Sequence, residues 1–276
     1  MLFRPKTLKT GKLARRKRRV FLFKLLGALF LLGLLLSVII YALHRPELLI
    51  KQITVSGTSS LQSEEIKQFV EDRISGEYVY LIPRASVFFY PKHSLQEELL
   101  SSFKPMRTVS FTQETLGSLL VSIEEREPSA LWCGENRLDD VTPECYFLDE
   151  DGFIYINAPI FSDNVYIRFY GPLKNGYPIG QLFLEPSVYR SLALFILSLK
   201  EEDILVADFA VLDSDDFELY LKNGIQILFG RNQELSTVFD NIRAVFLSDE
   251  FKEMDFSTVD YIDLRFGNKV FYKLRE

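Results

Sequence analysis

Residues 25–43 read LLGALFLLGLLLSVIIYAL, nineteen uncharged and mostly apolar positions in a row. At 1.5 Å per helical residue the run spans roughly 28 Å, close to the thickness of a bilayer's hydrocarbon core. Val20–Phe23 extend it, Lys24 lies near enough to its end to snorkel, and Tyr41 suits the far interface. Upstream, residues 1–24 hold ten Lys or Arg and no Asp or Glu, with Arg15-Arg16-Lys17-Arg18-Arg19 at the centre. Such a flank stays cytoplasmic by the positive-inside rule, so the expected topology is N-in, C-out. A cleaved signal peptide competes with this reading. The run is longer than a usual h-region, and Ala42-Leu43-His44-Arg45-Pro46 is a poor cleavage site, which favours an uncleaved anchor. The basic run also resembles a nucleic-acid or nuclear-importer patch, but beside a span, topology and anionic lipid explain it more simply.

The whole chain carries 32 basic and 38 acidic residues. Without the tail the balance is 22 against 38, a net charge of −16 that argues against a nucleic-acid partner. About 230 residues remain outside, enough for one large or two modest domains. With 24 Phe in the chain, 20 of them past the span, core material is ample and disorder of the exterior is excluded. Cys133 and Cys145 are the two cysteines, eleven residues apart between two strand-like runs. An oxidising compartment permits a cross-strand bridge, worth roughly 3 kcal/mol in the loop-entropy account. Two reduced thiols or a metal pair are the alternatives. The chain's two histidines, His44 and His93, lie far off in sequence, so a Cys/His zinc site fits poorly and a disulfide is favoured.

Past the span, the spacing predicts an α+β exterior in two units. In residues 47–127, Leu49–Val55 reads as a strand stopped by Gly57. Ser63 is placed to cap a helix with Ile66, Phe69, Val70 and Ile74 on one face. Ser94 is placed to cap a second, with Leu95, Leu99, Leu100 and Phe103 inward, and alternating strands follow at 107–113 and 119–124. The predicted order is β-α-α-β-β. The aromatic stretch Tyr78–Pro91 reads as a loop and half-turn packed on the sheet, with a lipid-surface patch as the alternative.

Residues 128–276 read as a β-rich domain with two helices. Strands are expected at 130–133, 145–149, 153–156 and 165–170, with Asp151-Gly152 as a two-residue hairpin turn. A helix from Pro186 carries Val188, Leu192, Phe195, Ile196 and Leu199 inward. Strands 204–212, 217–221 and 225–229 follow, with Asn223-Gly224 as the strongest hairpin signal. A long helix carries Leu235, Val238, Phe239, Ile242 and Phe246, and the chain closes with 261–266, a Gly267-Asn268 turn and 269–274.

The chemistry-bearing patterns are sparse. Nothing matches a G-x-S-x-G elbow, a P-loop or a dinucleotide fingerprint, and residues 128–276 contain no histidine. His93 reads as a surface residue. The carboxylates Asp139-Asp140, Asp149–Asp151, and Asp213, Asp215 and Asp216 fall at turns and loops and read as solvated turn chemistry. Hence no catalytic residue, metal, cofactor or small-molecule substrate is expected. What remains is a sheet edge. The strand 269–274 is short and aromatic, and a partner strand would add there by backbone pairing. The competing reading makes Lys269 and Lys273 gatekeepers that protect the edge.

Five local patterns in this order resemble the FtsQ/DivIB family of bacterial cell-division proteins. Ile53-Thr54-Val55-Ser56-Gly57 with Ser63-Glu64-Glu65-Ile66 is similar to the opening of that family's POTRA domain. Glu125–Trp132 resembles its E-R-x-P-x-A-x-W junction, and Tyr146–Gly152 its strand and D-x-x-G turn. Leu221–Gly224 and Leu228–Gly230 resemble the hairpin before its long helix, and Tyr261–Phe266 its closing strand. The cysteine pair and the length of the 78–91 segment depart from the family pattern. The resemblance implies a non-enzymatic, single-span divisome scaffold at the septum, with a POTRA domain at 47–127 and a partner-binding β domain at 128–276. It implies partners of the FtsB/DivIC and FtsL types, bound beside the closing strands at Phe266, Gly267, Val270, Phe271 and Tyr272. A POTRA-bearing envelope assembly or transport component is the alternative. That class needs an outer-membrane barrel of many ten-residue strands, which the chain is too short to supply. An envelope enzyme acting on peptidoglycan would need an acid/base pair that the sequence does not display.

Overall fold

A computed structural model of the chain describes residues 11–137, 143–161, 165–212, 216–252, 254–267 and 269–275. The architecture is mixed α/β, with one apolar N-terminal helix and a large β-sheet. Helix α1 (Gly11–Leu43) contains the run Arg16–Leu43, long and apolar enough to cross a membrane by length and composition. The chain divides into two compact units, 1–100 with 108–124, and 101–107 with 125–276.

After α1 come β1 (Gln52–Ser56), α2 (Ser63–Ile74), β2 (Glu77–Tyr78), β3 (Ile82–Pro83), α3 (Lys92–Ser102), β4 (Met106–Thr115) and β5 (Ser118–Glu125). The sheet order is β1-β5-β4, with β1 parallel to β5 in the register Gln52↔Ser118 to Ser56↔Ser122. Period-two alternation buries Leu119, Val121 and Ile123 on one face of β5. Ile66, Val70 and Ile74 of α2 and Leu95 and Leu99 of α3 are buried as well, at the four-residue spacing of one helical face. Gly57 ends β1 at φ +84°, where an added Cβ would lie 2.0 Å from the Ile123 carbonyl oxygen, so only glycine fits.

Three details differ from expectation in this unit. Ser63 is the first helical residue of α2 rather than its cap, and its hydroxyl bonds Thr58 Oγ1 at 2.7 Å. Ser94 lies inside α3, which starts at Lys92 just after Pro91. The 78–91 stretch contributes to a two-stranded ribbon, β2–β3, in addition to loop.

The second unit runs β6 (Ala130–Trp132), β7 (Tyr146–Leu148), β8 (Ile154–Asn157), β9 (Arg168–Tyr170), α4 (Pro186–Glu201), β10 (Val206–Val211), β11 (Asp216–Leu221), β12 (Gln226–Gly230), α5 (Leu235–Leu247), α6 (Asp249–Lys252), β13 (Val259–Phe266) and β14 (Lys269–Leu274). All the strands join one nine-stranded sheet, ordered β14-β13-β12-β11-β10-β9-β6-β7-β8. The parallel neighbours β9/β10 and β12/β13 are connected through α4 and α5, as parallel pairs must be by a crossover. The two helices contact each other, and both bury their apolar stripes in one core cluster. Leu192, Phe195, Ile196 and Leu199 of α4 and Val238, Ile242 and Val245 of α5 meet Phe209, Phe217, Leu219, Ile227 and Phe229 of the sheet. A second, smaller cluster holds Leu131, Cys133, Ala158, Tyr170 and Ala210, with Phe147, Phe161 and Tyr166 packed on it. Glu185 caps α4: its carboxylate accepts from the Ser187 and Val188 backbone N–H groups, which with the Ser187 hydroxyl hold its pKa low.

Here too the structure corrects detail. A third, one-turn helix, α6, joins the two expected, and β9 is shorter than the predicted 165–170. Val245 is buried on α5, whereas Phe239 and Phe246 are only partly so. At both predicted hairpins the glycine comes after the turn. Gly152 N–H bonds the Asp149 carbonyl and Gly224 N–H the Leu221 carbonyl, at 3.0 and 2.9 Å. Glu150-Asp151 and Lys222-Asn223 are therefore the central pairs, and Gly152 and Gly224 supply the left-handed residue, at φ +76° and +88°.

Candidate partner-binding edge

β14 stands last in the strand order, paired on one side only, with β13. The β13–β14 hairpin is antiparallel, with Ile262 opposite Tyr272 and Asp263 opposite Phe271. Its register shifts twice, between Val259 and Tyr261 and between Asp263 and Phe266, and both extra residues lie on β13. β14 is therefore uninterrupted. Arg275 N–H bonds the Thr258 carbonyl at 2.7 Å, so the backbone of alternate residues 273 and 271 also faces β13. The alternation leaves the N–H and C=O groups of Val270, Tyr272 and Leu274 on the outer side.

One side-chain face of β14, Val270, Tyr272 and Leu274, is apolar, and the other sets Phe271 between Lys269 and Lys273. Tyr272 lies opposite core residue Ile262; its ring meets buried Phe251 of α6 edge-on at 5.3 Å, and its hydroxyl donates to Glu250 at 2.6 Å. That acceptor raises the Tyr272 pKa. Phe271, on the opposite face, meets Phe266 edge-on at 5.1 Å. Every described residue of β14 is exposed, and Phe266 and Phe271 are more than half or half exposed. Aromatic and aliphatic surface of this extent beside unpaired backbone is what a strand-adding partner requires.

The sequence explains why the hairpin stays in register. Asp263, on β13, is buried and accepts from Arg265 Nε at 2.9 Å, Arg265 Nη2 at 2.6 Å and the Arg265 backbone N–H at 3.0 Å. Arg265 reaches on to Asp216 of β11 at 2.9 Å. These contacts hold the Asp263 carboxyl below the usual carboxylate range and push the Arg265 pKa up. At the other end Arg275 Nη2 donates to the Gly224 carbonyl at 2.6 Å, tying the end of β14 to the β11–β12 turn.

The opposite sheet edge is covered by the chain itself at its start. Ile154 N–H bonds the Gln181 carbonyl, Gly180 N–H the Ile154 carbonyl, and Phe183 N–H the Gly152 carbonyl, all within 2.9 Å. The segment 180–183 thus pairs with residues 152–154, where β8 begins.

Of the residues assigned from sequence, Phe266, Val270, Phe271 and Tyr272 lie on this hairpin, with Gly267 at its turn in a left-handed conformation at φ +67°. Asn268 lies outside the described residues. Sequence reading missed Leu274, exposed on the face shared by Val270 and Tyr272, and the Asp263–Arg265–Asp216 lock, whose only signal was the Asp-x-Arg spacing. Tyr272 is the least free of the assigned residues because α6 holds it.

Cys133 and Cys145 are joined in a disulfide, with Cα atoms 4.1 Å apart, just beyond the paired strands β6 and β7. Of the carboxylates at 149–151, Asp149 departs from the solvated reading, while Glu150 is exposed and Asp151 half-buried. Asp149 is buried, ion-paired with Arg126, and accepts from the Asp151 and Phe153 backbone N–H groups, each at 2.9 Å. The Arg126 guanidinium also lies 4.1 Å from the Phe153 ring centroid, and Ser129 Oγ donates to the Asp149 carbonyl at 2.7 Å. The junction 125–132 and the turn 149–152 are thereby one structural knot. Asp216 pairs with Arg265, while Asp139, Asp140, Asp213 and Asp215 lie outside the described residues. His93 is exposed, and His44 lies 3.5 Å from Glu77. Among the described residues no group of three or more His, Cys, Asp or Glu is placed to hold a metal ion.

Comparison with known proteins finds no matching family model and no matching curated protein.

Proposed function

We propose that this chain is a non-enzymatic, single-span scaffold of the FtsQ/DivIB type, which binds small coiled-coil division proteins through a free sheet edge. The observation that carries the proposal is the edge strand β14, paired only with β13 among the described residues, with Val270, Tyr272 and Leu274 on one face and Phe271 exposed on the other. Supporting it are the order of the first unit, β-α-α-β-β once the short β2–β3 ribbon between the helices is set aside, which is compatible with a POTRA domain, and one apolar helix behind a basic tail. In this reading residues 1–24 are cytoplasmic, α1 crosses the cell membrane, and both units work outside it at the septum. Partners of the FtsB/DivIC and FtsL types contribute a strand beside Val270, Phe271 and Tyr272. The sheet edge needs neither cofactor nor small molecule to do this; complementary backbone groups and apolar pockets suffice.

Phe271→Lys is the test. Phe271 contacts Phe266 on an exposed face, so the substitution places a charge on the docking surface without opening the core. Co-purification of the full chain with a FtsB/DivIC-type partner from detergent-solubilised membranes should be lost, while the folded chain persists by fluorescence of its single tryptophan. Retained co-purification would refute the site.

A further inference from the structure

Six large apolar side chains outside α1 are strongly exposed at one place in the first unit: Val79, Tyr80, Leu81, Phe88, Phe89 and Leu116. They come from three separate loops, and each loop is tied to the few residues by which the chain leaves α1. The β2–β3 ribbon that carries the first three lies beside the C-terminal end of α1, with Glu77 3.5 Å from His44 Nε2. The loop carrying Phe88 and Phe89 is held by hydrogen bonds from Ile50 N–H to the Ala85 carbonyl and from Val87 N–H to the Leu48 carbonyl, at 2.8 and 3.1 Å. Ser86 between them is fully buried, and its carbonyl accepts from the Phe89 and Tyr90 N–H groups, which fixes the two phenylalanines outward. The β4–β5 turn carrying Leu116 is held by Lys51 and Gln52 N–H groups on the Gly117 carbonyl, at 2.8 and 3.1 Å.

The tip of the ribbon is also conformationally costly. Val79 and Tyr80 sit at φ +51° and +58°, a left-handed backbone that a β-branched residue rarely takes. Leu81 N–H bonds the Tyr78 carbonyl at 3.0 Å and closes this two-residue turn, which leaves Tyr80 93% and Val79 82% exposed at its tip. Exposed aromatic and aliphatic tips, with Arg45 and Arg84 exposed close by, have the chemistry of a membrane interface, where aromatic rings settle at headgroup level and cations meet phosphate. α1 itself supplies the bilayer: the loops are tied to residues 44–52, within nine residues of its end.

We infer that these three loops dock the first unit onto the phospholipid surface of the leaflet from which α1 emerges, with Tyr80 and Phe88 in the headgroup region. The inference rests on the reading of α1 as a membrane span. Docking of this kind would orient the first unit relative to the bilayer instead of leaving it to swing on a flexible stalk.

The test places one cysteine at a time in the full chain, at Tyr80, at Leu34 in the middle of the apolar run, and at exposed Gln68 on α2. The native pair is already bonded, so a single NBD label goes to the new thiol. Each labelled protein is reconstituted into phosphatidylcholine–phosphatidylglycerol vesicles bearing nitroxide at the headgroup or deep in the acyl chain. The expected result is strong loss of emission at position 80 with headgroup nitroxide, strong loss at position 34 with the deep nitroxide, and none at position 68. Loss at 34 without loss at 80 would overturn the docking and leave the span intact. Absence of loss at 34 would overturn the span and the docking with it. Equal loss at 80 and 68 would mean non-specific adsorption and would also overturn the docking.

Discussion

Asp149→Ala removes a carboxylate only 1% exposed that holds three partners: the Arg126 guanidinium and the backbone N–H groups of Asp151 and Phe153. The substitution orphans both N–H groups in the β7–β8 turn and leaves the Arg126 side chain, itself 17% exposed, without its counter-charge. Breaking a buried ion pair from one side costs about 3–5 kcal/mol, and a unit of this size loses on the order of 10 °C in midpoint temperature for that much. Since a domain's whole stability is about 5–15 kcal/mol, the loss would be conspicuous. The chain's single tryptophan is a good reporter. Trp132 is buried on β6 and donates to the Gly171 carbonyl at 3.1 Å, in the unit the substitution disturbs. Denaturant unfolding of the full chain in detergent, followed by its fluorescence, gives the difference directly. Asp149→Asn retains an oxygen for the two N–H groups and loses only the charge, so it should cost roughly half as much. If Asp149→Ala stays within about 1 kcal/mol of the parent, the turn is not locked by a buried pair and the reasoning fails.

Reduction of the Cys133–Cys145 bridge, which should raise the intact mass by two hydrogens, is expected to destabilise the same unit by roughly 3 kcal/mol in the same fluorescence assay. Because Arg265 depresses the Asp263 pKa, the stabilisation from that pair is fully present above the unfolded carboxylate value and is lost as pH falls through the lower folded value. Unfolding midpoints measured from pH 5 downward should therefore fall more steeply for the parent chain than for Asp263→Asn; parallel curves would refute the linkage.

Periodicity made most of the architecture legible. The strand 119–123 and the stripe of α4 from Leu192 to Leu199 announce themselves because burial repeats every two or every three to four residues. Capping was less legible. Ser63 and Ser94 have the right side chains, but the helices start one residue past Gln62 and at Lys92, since the neighbouring backbone decides which residue leaves helical geometry first. The turns were misplaced by one residue because Asn-Gly and Asp-Gly serve both a two-residue loop and a longer turn closed by a left-handed glycine. Asp149 looked solvated because its partner, Arg126, is 23 residues away in the chain and no local pattern pairs them. Of the candidate site, the hairpin 261–274 was legible from the Gly267-Asn268 turn between two strand-like runs. The pairing at the start of β8 was not, because it comes from the irregular segment 180–183, which carries no periodic signal.

Amide exchange along β14 tests the central proposal most directly. In the full chain alone, the outward N–H groups of Val270, Tyr272 and Leu274 should exchange quickly, and those of Phe271 and Lys273, which face β13, slowly. On adding a FtsB/DivIC-type partner, the three fast amides should become protected while the two slow ones barely change. A complex that forms without protecting Val270, Tyr272 and Leu274 would contradict strand addition at this edge.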